Sequence, residues 1–138
     1  MRKGLAFGTL GLNALFWIAV TAAEKPSEQY SKAMKDIGAA AASVTKAIPA
    51  EDFDTVSKNA TSIIEAFPVI RKYWTDKADG DAVRSVVAAE KAAADLRVAA
   101  GLKSSDGVDY SAKELTEICT QCHTAHREQL PDGSFQIK

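Results

Sequence analysis

Cysteine is almost missing from this 138-residue chain, which has only Cys119 and Cys122, three positions apart. A disulfide-stapled scaffold needs more cysteines spread along the sequence, so that class is excluded. An excess of one charge is missing too. With 17 Lys+Arg against 18 Asp+Glu, no basic field exists to attract nucleic acid. Also absent is any apolar–polar alternation long enough to mark a strand, and no internal repeat is visible. What is left is a chain of single-domain length with an ordinary apolar fraction of 46%, to which alanine contributes heavily.

The first 23 residues stand apart from the rest. Arg2 and Lys3 form a short positive region, and Leu5 to Val20 is an apolar run without a charge. Small residues Thr21, Ala22 and Ala23 follow, and Glu24-Lys25-Pro26 turns polar. This is the layout of a secretory signal peptide over 1–23, with cleavage expected near Ala22 or Ala23 and a mature domain over 24–138. The apolar run is short for a membrane span, so an uncleaved anchor is the lesser alternative and no membrane association is expected after cleavage. Removing 1–23 leaves 15 basic against 18 acidic residues, a net charge of −3.

Helical periodicity fills the remainder. Tyr30, Ala33, Met34, Ile37, Ala41, Val44 and Ile48 recur at steps of three and four, with Ser27 placed to cap the start and Pro49 to end the run. Phe53, Val56, Ala60, Ile63 and Phe67 repeat the pattern behind Asp52. Pro68 is expected to end or kink that helix, and Val69, Ile70, Tyr73 and Trp74 continue it for a turn or two. After a polar linker from Thr75 to Gly80, a third stripe runs through Ala82, Val86, Ala89, Ala93, Leu96 and Ala100, with Gly101 expected as its C-terminal cap. Lys103 to Asp109 reads as a loop. Ser111 with Glu114 reads as a capping box opening a fourth helix, stapled by Tyr110 and Leu115 and stopped by Pro131-Asp132-Gly133. Four amphipathic helices with short links predict an all-α, antiparallel up-and-down four-helix bundle. The alanine clusters Ala39–Ala42 and Ala92–Ala94 either leave space for a flat cofactor or serve as good helix formers, and the second reading is preferred.

One motif carries chemistry. Cys119-Thr120-Gln121-Cys122-His123 is Cys-x-x-Cys-His, whose two thiols can add to the vinyl groups of haem while the adjacent histidine binds the iron. On a helix the three residues share one face, and Leu115, Ile118 and Leu130 are expected to build an apolar wall near it. The motif coincides with an export signal, and c-type haem is attached outside the cytoplasm. Three rivals are weaker. A thioredoxin-like pair expects a βαβ context, a zinc site on Cys119, Cys122 and His126 lacks a fourth protein ligand, and an i, i+3 disulfide on a helix is strained.

With Cys-x-x-Cys-His near the C-terminus of an expected four-helix bundle, the chain resembles the class II c-type cytochromes, the cytochrome c-prime family. Arg127 matches an arginine that family members carry after the haem histidine, while His126 stands where they carry an aromatic. The resemblance implies one covalently attached haem c held by Cys119 and Cys122, His123 as proximal iron ligand, and Arg127 beside a propionate. It implies Met34 on the first helix as the sixth ligand, although by residue type alone Met34 reads as core filler. Tyr30 occupies the position of a first-helix arginine in the family, so no propionate contact is assigned there. His126, on the same helix as His123, is expected to pack or hydrogen-bond rather than ligate. Tyr73 and Trp74 are read as core, and Lys32, Lys35 and Lys46 as solvated. The functional expectation is a periplasmic electron carrier without substrate turnover, working with redox partner proteins; no stripe demands a homodimer. The alternative is a five-coordinate protein that binds nitric oxide or carbon monoxide at an open distal site.

Overall fold

The computed structural model describes residues 23–138, so the expected signal peptide lies, apart from Ala23, outside the described residues. The chain forms α1 (Glu28–Ala47), a 3-10 turn (Ile48–Ala50), α2 (Phe53–Asp76), α3 (Gly80–Gly101) and α4 (Ser105–His126), followed by two short strands, β1 (Arg127–Gln129) and β2 (Phe135–Ile137). Each helix packs on the next, α1 on α2, α2 on α3 and α3 on α4. Links this short return the chain alongside the helix it has just left, which makes an all-α bundle of four helices.

The three links share one construction. The αL residues Glu51, Ala78 and Lys103 have φ values of 49°, 56° and 53°. Each is followed by a residue whose backbone N–H donates back to the preceding helix: Asp52 to the Ala47 carbonyl, Asp79 to Trp74 and Ser104 to Ala99. That is the helix-ending Schellman pattern, with three non-glycine residues in the left-handed position. The same Asp52, Asp79 and Ser104 then cap the next helix, their side chains accepting from the N–H groups of Thr55, Ala82 and Gly107. Ser27 caps α1 in the same way through Tyr30.

Several expectations give way here. Gly101 is the last helical residue of α3, and the left-handed position two residues on belongs to Lys103. Lys103–Asp109 is not a loop, because Ser104 supplies the cap and α4 begins at Ser105. That start places Val108, Ser111 and Leu115 on the buried side, so Ser111 lies inside the helix and Tyr110 is 69% exposed, unable to staple. Pro68 does not end α2. A helix-interior proline costs about 3 kcal/mol, and beyond it lie Ile70 and Trp74, both buried. Burying two side chains of this size contributes roughly 1.5–3 kcal/mol each, enough to offset the proline. The helical stripes otherwise stand, with one shift on α1: Ala40 and Ala47 face the core, while Met34, Ala41 and Ile48 are only partly buried at its edge.

α4 stops at His126, five residues before Pro131, because Arg127 turns extended and pairs with Ile137 in an antiparallel hairpin. Pro131–Gly133 lies in the hairpin turn, with Gly133 at φ 83°. Glu24 and Ile137 exchange backbone bonds of 3.2 and 2.8 Å, which ties the start of the described chain to its end. Three-residue strands with one buried side chain, Ile137, leave no alternation for a sequence pattern to detect.

Candidate cofactor site

Consecutive helices pack closely on one another, whereas α1 and α4 make little direct contact. Between them lies a cavity of about 230 Å³. Met34, Ile37, Ala41 and Val44 of α1 form one wall, and Leu115, Ile118, Cys119, Cys122 and His123 of α4 the other. Phe67 and Ile70 of α2, with Val86, Ala89 and Leu96 of α3, close the floor. Small side chains explain the gap. Gly38 and Ala41 face it from α1, and a Cβ added at Gly38 meets nothing within 4 Å. The helices are therefore held apart along a slot lined mainly by hydrocarbon.

A second cavity, about 520 Å³, shares Met34, Cys122 and His123 with the first, so the two meet at these residues. Its wall carries Tyr30, Trp74 and His126, and its outer side Lys25, Lys35, Arg127 and the hairpin residues from Gly133 to Ile137. Four aromatic rings form one cluster: Tyr30 to Tyr73 at 4.4 Å, Tyr73 to Trp74 at 5.2 Å and Trp74 to His126 at 5.1 Å between centroids. Trp74 is core as expected, whereas Tyr73 is only partly buried. The buried Trp74 Nε1 reaches toward the Tyr30 phenol without forming a proper hydrogen bond, leaving a donor unpartnered beside the cavity.

The structure brings Met34, Cys119, Cys122 and His123 to the same cavity. Burial pushes both thiols above their usual range, helped at Cys119 by Cys122 and at Cys122 by the Asp79 charge. Protonated, half-buried thiols are unlike the low-pKa thiolate of a dithiol exchange centre. Burial, then the nearby Arg127 charge, pulls His123 below its ordinary value and keeps the imidazole neutral, the form that ligates a metal. Arg127 lies over the Phe135 ring at 4.0 Å and lines the second cavity rather than the first.

One apolar residue is placed differently from the sequence reading. Leu130 lines neither cavity, because the chain has left α4 before reaching it; Leu115 and Ile118 do line the first. His126, by contrast, packs as expected: it lies on Trp74, with Nδ1 3.4 Å from Asp79 Oδ2. Cys119, Cys122 and His126 do not converge, and no group of three or more His, Cys, Asp or Glu side chains among the described residues could hold a metal ion. Sequence reasoning missed Lys25 and the hairpin at the cavity mouth, since neither carries a periodic signal. No helix among the described residues is long and apolar enough to cross a membrane. Set against protein-family models, curated proteins and solved structures, the chain matches none.

Proposed function

We propose that this chain is an exported, mono-haem c-type cytochrome of the class II kind, acting as an electron carrier rather than an enzyme. The observation that carries the proposal is the slot between α1 and α4, with Cys119, Cys122 and His123 on one wall and Met34 on the other. A flat, apolar ring system with two acidic substituents suits a slot of this composition. The donor set fits as well: two thiols and an imidazole on one helix face, a thioether across the cavity, and cations with an unpartnered indole N–H at the polar end.

In this reading Cys119 and Cys122 anchor haem c through thioether bonds, and bound there it supplies a one-electron ferric–ferrous couple. His123 would offer an imidazole nitrogen to the iron, and the lowering of its pKa by burial favours the neutral form that ligation needs. Met34, on the α1 wall, would offer a thioether sulfur to the iron, a ligand that favours the ferrous state and raises the potential. Arg127, lining the second cavity, would offer a guanidinium to the cofactor's carboxylates. The hydrocarbon lining from Ile37, Val44, Phe67 and Leu96 keeps water from the ring. Export to the periplasm rests on the pattern of residues 1–23, and the partners are redox proteins rather than nucleic acid or membrane.

Visible spectra of the purified holo-protein test this assignment, taken ferric and ferrous, with and without carbon monoxide. A low-spin spectrum that carbon monoxide barely changes, becoming high-spin in Met34→Ala, is the expected result. A high-spin ferrous spectrum that shifts on adding carbon monoxide would remove Met34 as ligand and make the protein a binder of nitric oxide or carbon monoxide.

A further inference from the structure

We infer that the mouth of the second cavity is the electron-exchange port, and that it docks a redox partner presenting an acidic patch. The inference rests on the haem reading above. Three cations, Lys25, Lys35 and Arg127, are among the residues lining this cavity, and no carboxylate is among them. That local balance opposes the sign of the whole chain, which is −1 in full and −3 without residues 1–23. Lys35 and Arg127 form no ion pair among the described residues, while the charge of Lys25 is felt by Asp132. Neighbouring Lys32 is neutralised by Asp36 at 2.6 Å. Glu128 on β1 does not line the cavity and accepts a bond from Gln136 at 2.8 Å.

The inner end of the same cavity holds His123 and Met34. The residues placed to ligate iron therefore meet solvent through a positive mouth on a negative protein. Screening makes this decisive. At physiological salt the Debye length is about 8 Å, so an approaching molecule feels the rim and little of the distant net charge. Arg127 is stacked on the Phe135 ring at 4.0 Å, which leaves Lys25 and Lys35 as the cations freer to meet the partner.

Small redox probes of opposite charge read the sign of this field. Ferrous holo-protein, first verified by its haem bands, is mixed with ferricyanide; one electron leaves ferrous iron, giving ferric iron and ferrocyanide. The rate constant is expected to fall about threefold as salt rises from about 0.1 to 1 M and the Debye length shrinks from about 10 to 3 Å, a range in which the rim and not the distant net charge is felt. A cationic cobalt(III) phenanthroline oxidant is expected to show the opposite slope. The double variant Lys25→Glu, Lys35→Glu should reverse both slopes. A second double variant, Lys46→Glu with Lys58→Glu, makes the same change in net charge away from the cavity and should leave them as they are. A ferricyanide rate that rises with salt or stays flat in the unaltered protein would overturn the port, as would equal effects from the two double variants. Absence of haem bands would instead overturn the haem reading, before any mixing.

Discussion

Filling the slot should separate the two things it does. Ala41 sits on α1, partly buried, and lines the slot with Val44 and Leu115. Ala41→Leu adds three carbons directed at free space. At about 0.8 kcal/mol per buried methylene the upper bound is about 2 kcal/mol, and partial exposure of the site lowers the expected gain to about 1–2 kcal/mol. Leucine is nearly as good a helix former as alanine, so little is lost in α1. The haem-free protein should therefore be stabilised, with Tm raised by roughly 4–8 °C. The holo-protein should suffer, because the same carbons occupy the space assigned to the ring. Two assays check this: circular-dichroism melts of haem-free Cys119→Ser, Cys122→Ser protein with and without Ala41→Leu, and the haem-to-protein ratio of the variant with its cysteines intact. Were the slot not real, leucine would overpack the interface and cost about 1–3 kcal/mol. A destabilised haem-free variant, or one that takes up a full complement of haem with an unchanged spectrum, would refute the reasoning.

Two further substitutions probe the scaffold. Pro68→Ala restores a backbone donor inside α2 on an exposed face, and removing a cost of about 3 kcal/mol while releasing up to about 1 kcal/mol of unfolded-chain entropy should stabilise the protein by about 2 kcal/mol in a urea melt. A loss of stability would mean that the packing of Ile70 and Trp74 depends on the proline. Ser104→Ala should cost about 1 kcal/mol by removing the α4 cap, whereas Ser111→Ala should cost less than half of that. The reverse order would return the start of α4 to Ser111.

The helices were legible because their burial is periodic. Val56, Ala60, Ile63 and Phe67 on α2, and Ala82, Val86, Ala89, Ala93, Leu96 and Ala100 on α3, repeat at helical spacing and are all buried. The boundaries were less legible, since local signals compete. Ser111-x-x-Glu114 has the better box, yet Ser104 wins because an earlier start lets Val108 reach the core. Pro68 shows the converse, a strong local stop overridden by apolar residues on both sides. Residue type marks Gly101 as the cap, while Lys103 takes the strained position because the short link to Ser104 requires it. At the site, the facing of Cys119, Cys122 and His123 follows from spacing alone. That Met34 shares their cavity depends on the stand-off between α1 and α4, a distance no one-dimensional pattern encodes. The hairpin was invisible for a similar reason, as its stability comes from Ile137 and from pairing with Glu24 rather than from its own sequence.

The most direct test of the central claim is the intact mass of the exported protein, taken with its reduced pyridine haemochrome spectrum after acidic acetone extraction. The account predicts a chain heavier by one haem that keeps a c-type haemochrome band through extraction, and a Cys119→Ser, Cys122→Ser variant that carries neither. A polypeptide of unmodified mass from cells that mature other c-type cytochromes, or a haem that extraction removes, would contradict it.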